Sequence, residues 1–520
     1  MGADTDRADE GHERVPAIDD GSLIVVSNRQ PYTHTYEDAE AAENGETEGN
    51  DRTIGINRPA GGLTAGLDPV LQRTDGTWIA WGDGDADEVV TDPDGTIRMP
   101  PEDPSYTLKR VWLTDQEVEE YYYGYSNRVL WPLCHGGVWQ TDFADEHWQQ
   151  YRAVNRKFAE ATVEQAEAES LVWFQDYHFA LAPRMVRAEV PEAFCMHFWH
   201  ITWPGWDTFR ACPQYRELLD GLLGNDLLGF HTERYCENFI DCVEETFEEA
   251  FVDREGNRIH YGDHATAIRA FPMGVDAASV RRASKSVGTD FWAEFKGKYG
   301  ISGDTVALGV DRLDYTKGIT ERLAALEEFW ESRPEWRGEL TYIQKANESR
   351  SLIPEYQDLQ SDVTEAVSRI NDRFATAEWQ PVVYLTDFLP QEELCGLYRF
   401  SDVMLVSAVR DGMNLVAKEY VAAQVDSDGV LVLSDQTGAY EELGEHALTI
   451  NPYDTEGFVS TIDAALTMNE GERAERMSAL REQVESHDLV AWMNEIFDTA
   501  NELEQARNES GDGGDDASAI

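Results

Sequence analysis

The run Arg410-Asp-Gly-Met-Asn-Leu-Val-Ala-Lys-Glu419 sets an acidic residue, a glycine turn and an Asn before a helical stretch, Leu415 to Gln424. The apolar run Val403 to Val406 just upstream reads as a buried parallel strand. A strand, a glycine-containing turn and a helix N-terminus make an anion site. Unpaired backbone N–H groups and the helix dipole face whatever sits there, typically a phosphate. Asp411 suits that spot only if it faces neutral hydroxyls beside the phosphate, with Glu419 deeper along the helix. A phosphate flanked by acidic, hydroxyl-binding residues describes a nucleotide sugar. An ordinary Asx-capped helix in an α/β protein is the alternative.

A second run, Asp311-Arg-Leu-Asp-Tyr-Thr-Lys-Gly318, follows the strand Val306–Val310 and precedes the helix Ile319–Trp330. Arg312 and Lys317 therefore stand at a strand's carboxyl end, where open α/β sheets bind ligands. Two fixed cations there neutralise a departing diphosphate as a metal would. The plainer reading pairs them with Asp311 and Asp314 at the surface. Phe174-Gln-Asp-Tyr-His178 puts Asp176 and His178 at another strand end, and His197-Phe-Trp-His-Ile-Thr-Trp-Pro204 runs into an aromatic loop carrying His200. Tyr121 to Pro132 is an aromatic band suited to stacking on sugar faces or to plain core. Asp83-Gly-Asp-Ala-Asp87 is like a metal-binding acidic triplet but lacks the glycine and glutamate of a Ca²⁺ loop. It reads as solvated surface, and no metal is assigned. A G-x-G-x-x-G fingerprint after a strand is missing, which counts against a dehydrogenase.

The elements that must hold these residues alternate. Apolar strands at Leu23–Val26, Leu171–Phe174, Ala193–Phe198, Asp226–Gly229, Val306–Val310, Tyr342–Ile343, Val382–Leu385, Val403–Val406 and Val430–Leu433 are separated by helical patterns. That alternation predicts doubly wound parallel sheets, too many strands for one, hence two Rossmann-like domains. The division expected is an acidic disordered arm (1–20), an N-terminal acceptor domain (21–275) with an acidic loop insertion (37–52), and a C-terminal nucleotide-sugar domain (276–482). A helix crossing back (483–507) and a disordered tail (508–520) complete it.

Asp and Glu outnumber Lys and Arg by 100 to 42, giving a formal charge of −58, so nucleic acid and anionic membranes are poor partners. With 15 Trp and 42% hydrophobic residues the chain nonetheless folds. A high-salt cytoplasm, where screening tolerates such charge, is the simplest setting. No apolar run approaches a membrane span, and the first residues are acidic rather than a signal peptide. The six Cys lack a C-x-x-C spacing and read as buried free thiols of a cytoplasmic protein.

Together these segments resemble the trehalose-6-phosphate synthases, retaining glycosyltransferases of family 20 with the two-Rossmann-domain (GT-B) architecture. The matching pieces are Val26–Arg29, Ala60–Leu63, Tyr121–Pro132, Asp176–His178, Asp226–Thr232, Arg312–Gly318, Asp411–Ala423, Val430–Ser434 and Asn451–Asp454. The resemblance implies transfer of glucose from UDP-glucose to glucose 6-phosphate, giving α,α-trehalose 6-phosphate and UDP without a cofactor. It implies a donor site in which Gly61 admits the phosphates and Arg312 and Lys317 bind the diphosphate. Leu415, Val416, Ala417, Lys418 and Glu419 would hold phosphate and ribose, and Phe388 the uracil. Asp411 and His200 would hold the donor glucose. Arg29, Tyr122, Trp131 and Arg350 match the acceptor site, Asp176 lies between the sugars, and Trp131 and Ile201 match positions that select the acceptor's α anomer. The family's H-I-P-F-P loop reads His200-Ile-Thr-Trp-Pro204 here, beside the acceptor. A different acceptor such as glycerol 3-phosphate, an ADP- or GDP-glucose donor, or a silent sugar-phosphate sensor are the rival readings. No phosphatase motif follows, so a separate trehalose-6-phosphate phosphatase is expected in the pathway; a homo-oligomer is compatible with the sequence.

Overall fold

Every apolar run named above becomes a strand in the computed structural model, which describes residues 23–37, 53–58, 62–350 and 352–512. The arm 1–20, nearly all of the insertion 37–52, Gly61 and residues 513–520 lie outside the described residues. The N-terminal half holds β1 (Leu23–Ser27), β2 (Thr33–Tyr36), β3 (Ile54–Asn57), β4 (Thr77–Trp81), β5 (Thr96–Met99), β6 (Tyr106–Val111), β7 (Leu171–Gln175), β8 (Phe194–Phe198), β9 (Leu227–Phe230), β10 (Phe251–Asp253), β11 (Arg258–Tyr261) and β12 (His264–Ala270). The C-terminal half holds β13 (Thr305–Arg312), β14 (Leu340–Asn347), β15 (Val382–Leu385), β16 (Val403–Val406), β17 (Val430–Ser434) and β18 (Leu448–Ile450).

The first sheet runs β10-β11-β12-β9-β8-β7-β1-β4-β6-β5, parallel through its centre and antiparallel at both edges. The second runs β15-β14-β13-β16-β17-β18 and is parallel throughout. Each is a doubly wound sheet whose strand order reverses beside its own first strand, at β1/β7 and at β13/β16. Helices leave such a point toward opposite faces, so a crevice opens at the strands' carboxyl ends. The chain puts Ser27–Arg29 and Asp176 at the first reversal, and Arg312–Lys317 and Asp411–Asn414 at the second.

Two segments join the lobes. Gly274 lies so close to the returning chain that a Cβ there would sit 2.2 Å from the His487 carbonyl oxygen, and Leu489 N–H donates to Val275 O at 3.1 Å. The helix Glu470–Ser486 packs Met477, Leu480 and Val484 into the second lobe, so residues 483–486 belong there and not to the crossing helix. The crossing helix is Leu489–Asp512, its start capped by Asp488, and it continues through residues 508–512, which the sequence reading gave to the tail. It buries Leu489, Trp492, Met493, Ile496 and Phe497 against Leu23, Val25 and Trp173 of the first sheet. At about 1.5–3 kcal/mol for each large apolar side chain, that seam is a strong tie between the lobes. Among the described residues no helix is long and apolar enough to cross a membrane. All six Cys are buried and unpaired.

Candidate active site

The first sheet's share of the site begins at the end of β1. Ser27 Oγ donates to Arg29 O at 2.6 Å and accepts Trp78 Nε1–H at 2.7 Å, which fixes the turn that aims Arg29 into the crevice. On the far side of Arg29, Gln30 is buried and donates to Asp83 (2.6 Å) and Asp87 (2.5 Å), while Arg110 Nε–H donates to its oxygen at 2.9 Å. Asp87 is fully buried and pairs with Arg110 at 2.9 Å. The solvated reading holds for Asp83 and Asp85, which are exposed, and is corrected for Asp87 alone. Asp87 is a structural anchor, because the cation that neutralises it arrives from β6.

The aromatic band divides its labour. It winds as a π-helix, Val118–Leu130, a form that recurs at functional sites. Tyr121 and Tyr125 fill the core, whereas Tyr122 and Trp131 line the crevice. Tyr122 is surrounded by Arg350, Arg29 and Arg312; although burial opposes it, these guanidinium groups pull its phenol below the ordinary value.

Arg350 crosses from the second lobe. Its guanidinium carbon lies 4.0 Å from the centre of the Trp131 ring, and it donates to Tyr177 Oη (3.2 Å), Tyr356 Oη (2.5 Å) and Asp314 Oδ2 (3.2 Å). Arg312 rests over the same indole at 5.6 Å. The plainer alternative, Arg312 and Lys317 paired with Asp311 and Asp314 at the surface, is not what forms: Asp311 binds Arg322 at 2.8 Å, and buried Asp314 binds Arg350. Lys317 Nζ instead meets Asp411 Oδ2 at 2.6 Å.

Asp411, Asp176, His200 and Ile201 line one cavity of about 330 Å³ with Arg29, Tyr122, Trp131, Arg312 and Arg350. Asp176 holds a left-handed backbone (φ 70°), as do Arg350 (φ 50°) and Asn414 (φ 91°). Non-glycine residues at such angles are strained, and here three gather at one site. Burial pushes the Asp176 carboxyl up to about 7, against the pull of the Tyr177 and His200 N–H groups, Arg350 and Arg312. The lobes touch directly at this point. A Cβ on Gly412 would lie 2.5 Å from the His200 carbonyl oxygen, and Tyr235 Oη donates to Asp411 O at 3.2 Å.

At the helix Leu415–Ala423, Asn414 accepts Ala417 N–H at 3.0 Å and donates to Asp411 at 3.0 Å. Ala417 N–H is thus spent on the cap, leaving the first-turn N–H groups of Leu415 and Val416 for an anion. Lys418 points elsewhere. Its ammonium donates to Met273 O (2.8 Å) and Glu442 (2.5 Å), so its side chain braces the interlobe crossover rather than facing the cavity. Glu419 accepts Tyr398 Oη–H at 3.0 Å, outside the cavity, and burial raises its carboxyl. Phe388 is 74% exposed on the second lobe and lines none of the cavity. In the altered loop, Trp203 is buried against Phe209, Phe230 and Phe239, and Thr202 donates to the Cys134 carbonyl. Both replaced positions face the core, so the departure leaves His200 and Ile201 as the loop's contribution to the cavity. His178, placed with Asp176 at the same strand end by the sequence, also lines it, as do Asn28, Trp78, His135, Gln175 and Tyr177, which sequence reasoning did not select as site residues. Their neighbours at the same strand ends were the available signal. Among the described residues no cluster of three or more His, Cys, Asp or Glu could hold a metal ion.

Two facing Rossmann lobes that close on cations and carboxylates from both sides have the architecture of a GT-B glycosyltransferase. A profile of glycosyltransferase family 20 matches residues 21–502, and the chain belongs to that family. It is 37% identical over 519 residues to the trehalose-6-phosphate synthase of Mycolicibacterium smegmatis, covering 97% of this chain and 96% of that one. It is 36% identical to the bifunctional trehalose-6-phosphate synthase/phosphatase of Thermoproteus tenax over 94% of its own length, spanning 64% of that protein. The solved α,α-trehalose-phosphate synthase (UDP-forming) of Burkholderia xenovorans in complex with glucose-6-phosphate superposes with a TM-score of 0.80 at 30% identity, covering 92% of this chain and all of that one.

Proposed function

We propose that the protein transfers glucose from UDP-glucose to glucose 6-phosphate with retention, forming α,α-trehalose 6-phosphate and UDP. One observation carries this reading beyond family membership. In a chain of net charge −58, Arg29, Arg312 and Arg350 converge on one tyrosine, and Lys317 stands at the adjoining switch point. So much positive charge in so acidic a protein fits two anionic substrates, an acceptor phosphate at Arg29 and Arg350 and a diphosphate at Arg312, Lys317 and the Leu415–Val416 N–H groups. Asp411 and His200 would then bind donor glucose hydroxyls, Asp176 would lie between the sugars, and Trp131 and Ile201 would shape the acceptor's anomer.

In the step itself the anomeric C–O bond to the diphosphate breaks as the acceptor O1 bonds to the same face. The acceptor proton passes to the departing phosphate oxygen. Arg312 and Lys317 supply the electrostatic stabilisation, and the closed lobes keep water out. We assign no metal or other cofactor, these cations serving in a metal's place. The charge supports a further reading: a cytoplasmic enzyme of a salt-loving cell, making an osmolyte precursor that a phosphatase completes. The test is incubation in high salt with UDP-, ADP- and GDP-glucose against glucose 6-phosphate and glycerol 3-phosphate, with products identified by mass and NMR. Release of UDP without a disaccharide phosphate would refute it.

A further inference from the structure

Gln175 closes β7 and is 1% exposed, directly before Asp176. Its Oε1 stands 2.9 Å from His200 Nε2. An amide oxygen only accepts, so His200 carries its proton on Nε2 and leaves Nδ1 as a lone pair. Burial, together with His231, His197 and His178, holds the imidazole well below its ordinary value, so the ring is neutral. The other end of the amide is different. Gln175 Nε2 is buried and has no hydrogen-bond partner, yet the residue lines the same cavity as Asp176, His200 and Asp411. A buried donor left unmatched is costly, and this one belongs to a residue of the cavity wall, where a ligand oxygen would satisfy it.

We propose that Gln175 determines donor-sugar recognition: its oxygen fixes the orientation and tautomer of His200, and its amide N–H donates to an oxygen of the transferred hexose. This role rests on the transfer reaction proposed above. The two halves of the amide separate experimentally. Gln175→Glu keeps an oxygen toward His200 and removes the donor; Gln175→Leu removes both.

The experiment measures kcat and KM for UDP-glucose and for glucose 6-phosphate, binding of UDP alone, and melting temperature. Gln175→Leu is expected to lower kcat/KM for UDP-glucose about 100-fold and Gln175→Glu about tenfold. Both should keep UDP affinity and acceptor KM within about twofold of wild type, a split that mere loss of packing would not produce. Gln175→Glu should also add a limb to the pH profile. A carboxylate there draws a proton onto His200, whose other titrating neighbours are His231, His197, His178 and Asp176. Donor kcat/KM within about twofold of wild type in both variants would overturn the role, as would a loss shared equally by UDP binding. Inactive wild-type protein would overturn the functional reading itself, whereas active wild type with indifferent variants would overturn this role alone.

Discussion

Lys317 Nζ lies 2.6 Å from Asp411 Oδ2, joining the ends of β13 and β16 across the second sheet's switch point. The lysine holds the Asp411 carboxyl below the usual carboxylate range although the site is buried. On the proposed donor role, an arriving diphosphate would share a cation that an acid already holds, while Arg312 rests on the Trp131 ring. The two cations should fail differently. Arg312→Ala and Lys317→Ala are each expected to lower turnover on the order of 10²-fold or more. Only Lys317→Ala should also lower the melting temperature, because it strands a buried carboxylate. Steady-state rates and thermal melts of both variants check this, and near-wild-type turnover in either removes that residue from the chemistry.

The strand ends that hold these groups were legible because parallel strands buried on both faces are continuous apolar runs, as in Val403–Val406 and Leu171–Phe174. β6 was not, since Tyr106–Val111 alternates buried and half-buried positions and carries Lys109 and Arg110. The acidic triplet misled for a related reason: nothing local reveals that Arg110, twenty-three residues on, neutralises Asp87. Arg312 and Asp411 could be selected by residue type at strand ends, whereas Arg350 was named only by the family resemblance. Gln175, Tyr177 and His135 carry no such mark; all three belong to the first lobe, and only its tertiary packing, with His135 and Tyr177 both against Trp131, brings them to one cavity wall.

The acceptor side has its own pair. Arg29 contacts Tyr122, whereas Arg350 is also the partner of buried Asp314. Arg29→Ala is expected to raise KM for glucose 6-phosphate roughly 10- to 100-fold with the donor KM unchanged, the loss of one charge-assisted contact in a closed site. Arg350→Ala should raise the same KM and lower the melting temperature too. An Arg29→Ala enzyme with unaltered acceptor KM would take that residue out of phosphate binding.

Asp176 sets a pH dependence. Its carboxyl stands at about 7 in the fold and 3.8 as a free group, so it is protonated in the folded protein below neutrality. In the proposed reaction its carboxylate form would accept sugar hydroxyls and face the positive charge that develops at the anomeric carbon. Activity should therefore climb through about pH 7, and Asp176→Asn should lose that limb along with most of its rate. Substrate phosphates titrate in both enzymes, so the comparison isolates Asp176. Stability runs the opposite way. A raised carboxyl costs the folded state nothing below about pH 4, progressively more up to 7, and its full penalty above. Asp176→Asn should accordingly melt above wild type at pH 8 and level with it in acid; an equal difference at both pH values would refute the assignment.

Salt should separate folding from binding. At 0.1 M ionic strength the screening length is about 10 Å, and near 1 M it falls to about 3 Å. A net charge of −58 over one chain leaves much of its surface self-repelling at the first and screened at the second. The melting temperature should climb steadily between dilute buffer and molar KCl. The cavity behaves in reverse, because Arg29, Arg312 and Arg350 attract anions that the same salt screens. KM for glucose 6-phosphate should thus increase over the range in which stability increases, giving an activity optimum at intermediate to high salt. Melting curves and acceptor KM across a KCl series test both trends together. A flat melting temperature would show that the acidic surface does not make this fold depend on salt.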